Sequence, residues 1–231
     1  MRNVEDQEPQ TMDECRKMND WPKWKEEIKI KLNSLAKWDV FGPIVQTLGN
    51  IKPIKYKWVF MRKRNENDEI IRYKARLVAQ DFSQRPGIDY EETYFPIMDA
   101  ITFWYLISLT VSEGLDMCFM DVLTSYLYRS INTNIDMKIP EGFKLPEATN
   151  PKPRNMYSIK LQRSLYKLKQ SRRMWNNLLS EYLLKEWYMN NPICICVFIK
   201  KSETKLIMIA VYVDDLNLIG TLEELTKHPI I

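Results

Sequence analysis

The stretch Leu206–Gly220, LIMIAVYVDDLNLIG, is two apolar runs split by two adjacent carboxylates, Asp214 and Asp215. Each run is long enough for one strand and too short for a typical helix. Two charges cannot be threaded through a buried strand, so the chain must reverse there. The spacing predicts a hairpin, at whose tip both acids can be presented. In a regular strand neighbouring side chains point to opposite faces, but in a tight turn both can be presented together. Acid-rich turns are also common as plain solvated turns, so the dipeptide alone leaves a chemical and a structural reading open.

A second acid is notable. Asp121 closes the run MCFMDV, which reads as a buried strand. An acid at the end of such a strand is unfavourable unless it is paired or metal-bound. Asp121 with Asp214 and Asp215 forms an oxygen-only donor set, which suits Mg²⁺. Two such ions ~3.5–4 Å apart can stabilise both the attacking and the leaving oxygen of a phosphoryl displacement.

Composition narrows the chemistry further. The 231-residue chain holds a single histidine, His228, which argues against Ser-His-Asp, His-rich zinc and haem chemistry. It has four cysteines and a charged N-terminus, so a secreted disulfide scaffold is not expected. Its apolar stretches fall short of the ~20 residues of a membrane span. We expect a soluble, intracellular protein without a membrane partner. Net charge is only +4, but nine basic residues lie between Lys52 and Arg76 against three acids. That strip is a candidate phosphate-facing surface or a solvated strand face.

Residues 1–19 lack apolar periodicity and read as a flexible tail. A helix follows, with Asp20 as N-cap and Trp24, Ile28, Leu32 and Leu35 on one face, leading into a connection to residue 50. KWVFMRKRN, a polar turn at Glu66–Glu69 and IIRYKARLVAQ read as a hairpin. Alternation there puts Arg72, Lys74 and Arg76 on one face and Tyr73, Ala75 and Leu77 on the other. Asp99 caps a second helix running to Ser112 and ended by Gly114. Residues 140–155 are proline-rich and form a loop. A third helix over 172–186 groups Trp175, Leu178, Leu179 and Tyr182 on one side. ICICVFIK, a turn at Ser202–Thr204, LIMIAVYV and LNLIG then form a three-strand meander. Cys194 and Cys196, two apart on a strand, share a face and read as buried core.

The order KWVF, RYKARLVAQ, F-x-Q-x-x-GIDYEETY-x-P, MDV-x-T-x-Y, IPEGF, SLY-x-LKQ and VYVDD resembles the reverse transcriptase of copia-type LTR retrotransposons. The likeness spans roughly residues 20–221. It implies an α+β fold, the fingers and palm of a right-hand polymerase, with an antiparallel palm sheet backed by helices. Residues 51–100 and 140–165 would be fingers-like, and 101–139 and 166–231 palm-like. Asp121, Asp214 and Asp215 would be the catalytic carboxylates and the ligands of two Mg²⁺ ions, with Mn²⁺ as a substitute. Lys74 and Arg76 would contact the incoming triphosphate, and Gln170 would lie near nucleotide and template. Tyr126, five residues after Asp121, would be the steric gate against a ribose 2′-OH; read without the resemblance it is a core aromatic. Partners would be an RNA or DNA template-primer and a dNTP, the duplex held through its backbone.

The departures from the pattern are specific. Family members usually carry Gly where this chain has Asp81, Arg129 and Lys167, and Gly or Pro at Arg172. Charged side chains at positions needing positive φ add strain of about 1–3 kcal/mol each, and Lys167 is the most damaging of them, in the turn beside the expected nucleotide pocket. Trp104, Phe95 and Asp136 replace the usual Arg, Ser and Tyr. Several of these changes are single transitions, as expected of a silenced element decaying without selection. The chain ends 16 residues after Asp215 (231 − 215), where the family continues into a thumb and RNase H. These features predict a thumbless fragment whose polymerase activity is weak or lost. The alternatives are a catalytically dead nucleic-acid binder, a remnant without function and, from the acids alone, another Mg²⁺ phosphotransferase.

Overall fold

A computed structural model describes residues 7–49, 51–122, 124–145, 153–202 and 206–227, and the chain divides into two units. Unit 1 comprises residues 1–91 and 126–171, and unit 2 comprises 92–125 and 172–231. Residues 126–139 and 166–171, grouped from the sequence with the palm-like part, thus belong to unit 1.

Unit 1 is organised by α2 (Trp21–Lys37), whose Trp24, Ile28, Leu32 and Leu35 recur at helical spacing and are all buried. This stripe packs on the hairpin of β2 (Tyr56–Arg64) and β3 (Ile70–Ala79). The Trp24 ring meets Tyr73 edge-on at 4.6 Å and Phe60 at 5.3 Å. The hairpin alternates as expected: Ala75 and Leu77 are buried, with Arg72, Lys74 and Arg76 on the opposite face. Its turn is tied by Asn65, whose side-chain oxygen accepts from the Asn67 and Glu69 amides. A separate antiparallel sheet, ordered β1 (Phe41–Gln46), β6 (Tyr157–Arg163), β5 (Ser130–Lys138), adds Ile135, Met137, Ile159 and Leu161 to the same core.

Two expectations for unit 1 need correction. The segment read as a loose tail contains α1 (Met12–Lys17), with Met12 and Cys15 buried in the core. Apolar periodicity missed it because a six-residue helix shows less than two turns of pattern. Asp20 is not a side-chain cap of α2. Its carboxylate instead accepts from the Trp24 indole at 3.1 Å and from the buried Arg62 guanidinium at 2.8 Å. A full positive charge outcompetes backbone amides for that oxygen.

Unit 2 is a five-stranded antiparallel sheet flanked by helices. Its order is β4 (Asp116–Asp121), β10 (Asp215–Gly220), β9 (Leu206–Tyr212), β8 (Val197–Lys201), β7 (Met189–Asn190). Strands β9 and β10 are buried on both faces. α3 (Ala100–Ser112) covers one face through Phe103, Leu106 and Leu109, against Met208, Ala210 and Ile219. It is capped as expected: the Asp99 carboxylate accepts from the Thr102 amide at 2.7 Å, which holds Asp99 below the usual carboxylate range. Gly114, at φ +62°, ends it. On α4 (Ser171–Lys185) the buried stripe is Trp175, Leu179 and Leu183, with Leu178 half-buried and Tyr182 exposed, rather than the set read from the sequence.

The run MCFMD is not a buried strand. β4 is an edge strand with β10 as its partner, and Asp116, Cys118, Phe119 and Asp121 are exposed. Apolar residues on an edge strand look like core in sequence, because the sequence does not state how many neighbours a strand has. Strand β8 begins only at Val197, so Cys194 and Cys196 lie in the preceding loop, not on a strand. Glu203 and Thr204 of the turn expected at Ser202–Thr204, and part of the 140–155 loop, fall outside the described residues. Among the described residues no helix is long and apolar enough to cross a membrane.

Candidate active site

The hairpin predicted from LIMIAVYVDDLNLIG forms, but its tip is shifted by one residue: Tyr212 and Asp215 are the closing pair and Val213–Asp214 the two-residue loop, so of the two acids only Asp214 lies in the loop and Asp215 begins β10. Only the first loop residue, Val213, has positive φ, at +60°, the pattern of a type II′ turn. A β-branched residue is strained there, where Gly is usual. Neighbours hold the strained loop in place. The Trp175 indole N–H donates to the Val213 carbonyl at 2.8 Å, and the Val122 amide donates to the Asp214 carbonyl at 3.1 Å. The second bond comes from the residue after Asp121 and fastens the end of β4 to the turn.

Register then brings the acids together. Asp121 is the direct partner of Asp215 across the β4–β10 pair, so both side chains share one face. Asp214 adjoins them on the turn. The Asp215 carboxyl is pushed above its usual range by burial, then by the charges of Asp214 and Asp121. Like charges placed opposite each other destabilise a sheet. A hard cation would relieve that repulsion, and an oxygen-only donor set is what Mg²⁺ or Mn²⁺ takes. The donor chemistry therefore fits a divalent ion. Among the described residues, however, no three or more His, Cys, Asp or Glu side chains are already closed around one point. Exposure of Asp121 also removes burial as an argument for a metal; pairing with Asp215 replaces it. Asp121 and Asp215 border a groove of about 710 Å³ walled by Phe103, Phe119, Met120, Tyr212 and Asn217.

The other expected site residues lie in unit 1. Lys74 and Arg76 are half-buried, on the face of β3 opposite Ala75 and Leu77. Tyr126 is buried, its ring edge-on to Tyr166 at 5.0 Å. The ammonium of Lys31 on α2 sits 5.4 Å from the Tyr166 ring. Burial, then Lys74 and Arg76, lower the pKa of Lys31. Lys31 thus joins Lys74 and Arg76 in one cationic neighbourhood. Sequence reading passed over it because it flanks the buried stripe of α2 in an ordinary-looking Lys-rich helix. Gln170 is buried and internally committed: its amide N–H donates to the Asp89 carbonyl at 3.0 Å, and its oxygen accepts from Gln84 at 3.0 Å. Gln84 in turn accepts from the Lys169 amide.

Of the three positions where Gly was expected, one alone requires it. Lys167 has φ +66°, whereas Asp81 and Arg129 have ordinary negative φ. The Leu168 amide donates to the Leu165 carbonyl at 3.2 Å, making Tyr166–Lys167 the centre of a turn with positive φ at its third position, a type II turn. Two other departures have acquired partners. Asp136 is buried beside Ser158 and Lys160, and the Phe95 ring receives the Arg172 guanidinium at 5.8 Å.

Residues 38–227 match the family model described as "Reverse transcriptase (RNA-dependent DNA polymerase)". The chain is 30% identical over 217 residues to the "Retrovirus-related Pol polyprotein from transposon TNT 1-94" of Nicotiana tabacum, covering 94% of this chain and 16% of that polyprotein. It is 29% identical over 209 residues to the corresponding polyprotein from transposon RE2 of Arabidopsis thaliana, covering 89% and 14%. Similarity extends to the "Transposon Ty1-ER2 Gag-Pol polyprotein" of Saccharomyces cerevisiae, 30% over 162 residues, 63% of this chain and 8% of that one. The chain spans about one-sixth of the first of these relatives, or less for the others.

Proposed function

Because the chain belongs to the reverse transcriptase family, in its copia-type retrotransposon branch, we propose that it is the RNA-directed DNA polymerase domain of a Pol polyprotein. Unit 2 is its palm-like part and unit 1 its fingers-like part. The observation that carries this reading is the register that sets Asp121 opposite Asp215, with Asp214 on the adjoining turn. Asp121, Asp214 and Asp215 would hold two Mg²⁺ ions. When bound, such ions activate the attacking hydroxyl and stabilise charge on the leaving oxygen.

The chain's own residues bind and orient. Trp175 and Val122 fix the turn backbone, so Asp214 does not have to be ordered at the moment of reaction. Lys74 and Arg76 bind the triphosphate of the incoming dNTP. The Tyr126 ring, braced by Tyr166, excludes a 2′-hydroxyl. Gln170, through Gln84 and Asp89, positions the segment 84–90 rather than reaching freely for a ligand. The overall step joins a primer 3′-oxygen to the α-phosphorus and releases pyrophosphate, on an RNA or DNA template.

The test is primer extension on poly(rA)/oligo(dT) with Mg²⁺. Extension that disappears in Asp214→Asn supports the reading, and extension that survives in that variant overturns it. The strained Lys167 turn favours one second reading, a domain that binds duplex but no longer extends it. Salt-sensitive duplex binding, weakened by charge reversal at Arg72, Lys74 and Arg76 and without extension, would establish that instead.

A further inference from the structure

The loop between β7 and β8 buries the wrong residues for a loop that needs only apolar filling. In Ile193-Cys194-Ile195-Cys196 the two isoleucines face out, at 96% and 46% exposure, while Cys196 is buried and Cys194 half-buried. Isoleucine gains more than cysteine from leaving water, so apolar packing by itself favours the opposite arrangement. The loop is tightly held in this inverted state. The Asn191 side-chain oxygen accepts from the amides of Ile193 and Cys194, at 2.8 and 3.1 Å. The Asn190 side chain donates to the Ile195 carbonyl at 2.8 Å, and the Val197 amide donates to the Cys194 carbonyl at 2.9 Å.

The result is a pair of free thiols with Sγ–Sγ 3.9 Å. Two thiolates each ~2.3 Å from one tetrahedral ion stand about 3.8 Å apart. The spacing is therefore already that of a chelate. Cys196 also belongs to the cluster that contains the thioethers Met98 and Met208, so the surroundings are soft as well as apolar.

We propose that Cys194 and Cys196 form a two-thiol site for a soft, thiol-seeking ion or trivalent arsenic centre, separate from the oxygen-donor site of the three aspartates. Hard ions such as Mg²⁺ do not compete for sulfur. Burial, then the neighbouring Cys194, push the Cys196 thiol up to about 12. Only an ion that displaces a thiol proton can enter, and occupancy weakens as pH falls. For Cd²⁺, two thiols and one ion give one dithiolate complex and two released protons. For phenylarsine oxide, two thiols and one As=O group give two As–S bonds and one water.

Phenylarsine oxide and Cd²⁺ are the probes, applied to the folded chain. The chain carries its own controls in Cys15, buried in unit 1, and Cys118, exposed on β4. One phenylarsine adduct per chain is expected by intact mass. Loss of either thiol removes the effective-concentration advantage of the second, so Cys194→Ser and Cys196→Ser should each weaken it about a hundredfold, while Cys118→Ser leaves it unchanged. Cd²⁺ should give a sulfur-to-metal charge-transfer band saturating at one equivalent, again absent from both serine variants. If Cys196→Ser does not fold, the half-buried Cys194→Ser still decides. An adduct that persists in Cys194→Ser, or a folded wild-type chain that takes up neither probe, overturns the proposal. Neither result depends on polymerase activity.

Discussion

Replacing Lys167 by Gly should stabilise the protein, although it removes a charge and a side chain. Lys167 occupies the positive-φ position of the Leu165–Leu168 turn at φ +66°. For an L-residue the left-handed conformation costs about 1–2 kcal/mol. Gly removes that strain but widens the unfolded ensemble, which returns about 0.4–1 kcal/mol. The net gain is about 0.5–1 kcal/mol. For a chain of this size that is a rise in Tm of about 1–4 °C, read by thermal or urea unfolding at unchanged m. Lys167→Ala separates the causes: it removes the exposed amine but keeps the Cβ, so it should leave Tm within about 1–2 °C of wild type. Arg129→Gly, at ordinary φ, should lower stability by about 0.4–1 kcal/mol. A loss of stability in Lys167→Gly, or an equal gain in Lys167→Ala, would refute the strain argument.

Three other substitutions probe other links. Lys31→Met should raise stability at neutral pH, because the lowered Lys31 pKa means that the folded state disfavours the charged form. The sign is fixed by linkage: the handicap is full below the folded pKa and fades as pH rises toward the ordinary value of 10.5, so the gain over wild type must shrink in alkaline melts. The same variant should weaken tripolyphosphate binding, and unchanged binding by calorimetry would remove Lys31 from the phosphate site. Trp175→Phe deletes the indole donor to Val213 and should cost about 1 kcal/mol, with a parallel loss of Mn²⁺ affinity; a stability loss without an affinity loss would mean that the indole does not position Asp214. Asp20→Ala removes the carboxylate that accepts from both Nε and Nη2 of the buried Arg62 guanidinium, which keeps its contact with the Gln7 carbonyl, and should cost up to about 3–5 kcal/mol. A cost of only about 1 kcal/mol in urea unfolding would match a lost helix cap instead.

What could be read from the sequence follows how local each determinant is. The hairpin, the α2 stripe and the shared face of Lys74 and Arg76 depend on periods of two or 3.6 residues and formed as expected, but the tip is one residue out of place: Val213 and Asp214 make the loop and Asp215 already belongs to β10. Features that depend on how many neighbours an element has were not legible. MCFMD has the composition of a core strand, yet it sits at a sheet edge. Asp20 looks like a cap, but Arg62, 42 residues away, takes its carboxylate. The resemblance puts Gln170 near nucleotide and template, and what no pattern could show is that both ends of its amide are bonded within unit 1. Trp175 reads as core filler, and its indole N–H, invisible to an apolar pattern, anchors the turn that carries Asp214. Of the three missing glycines, Lys167 reads from its turn as the most damaging, and the backbone agrees: it has positive φ, whereas Asp81 and Arg129 do not.

The central claim is that Asp121, Asp214 and Asp215 act on the same cations. Mn²⁺ binding, followed by water-proton relaxation on the folded chain, tests it without nucleic acid or turnover. Wild type should bind Mn²⁺ and release it to Mg²⁺. Asp121→Asn, Asp214→Asn and Asp215→Asn should each weaken binding about tenfold or more, at least the cost of losing an outer-shell partner. Asp116→Asn, at the far end of β4 opposite Gly220, should leave it unchanged. If Asp121→Asn binds Mn²⁺ as wild type does, the three acids do not form one site.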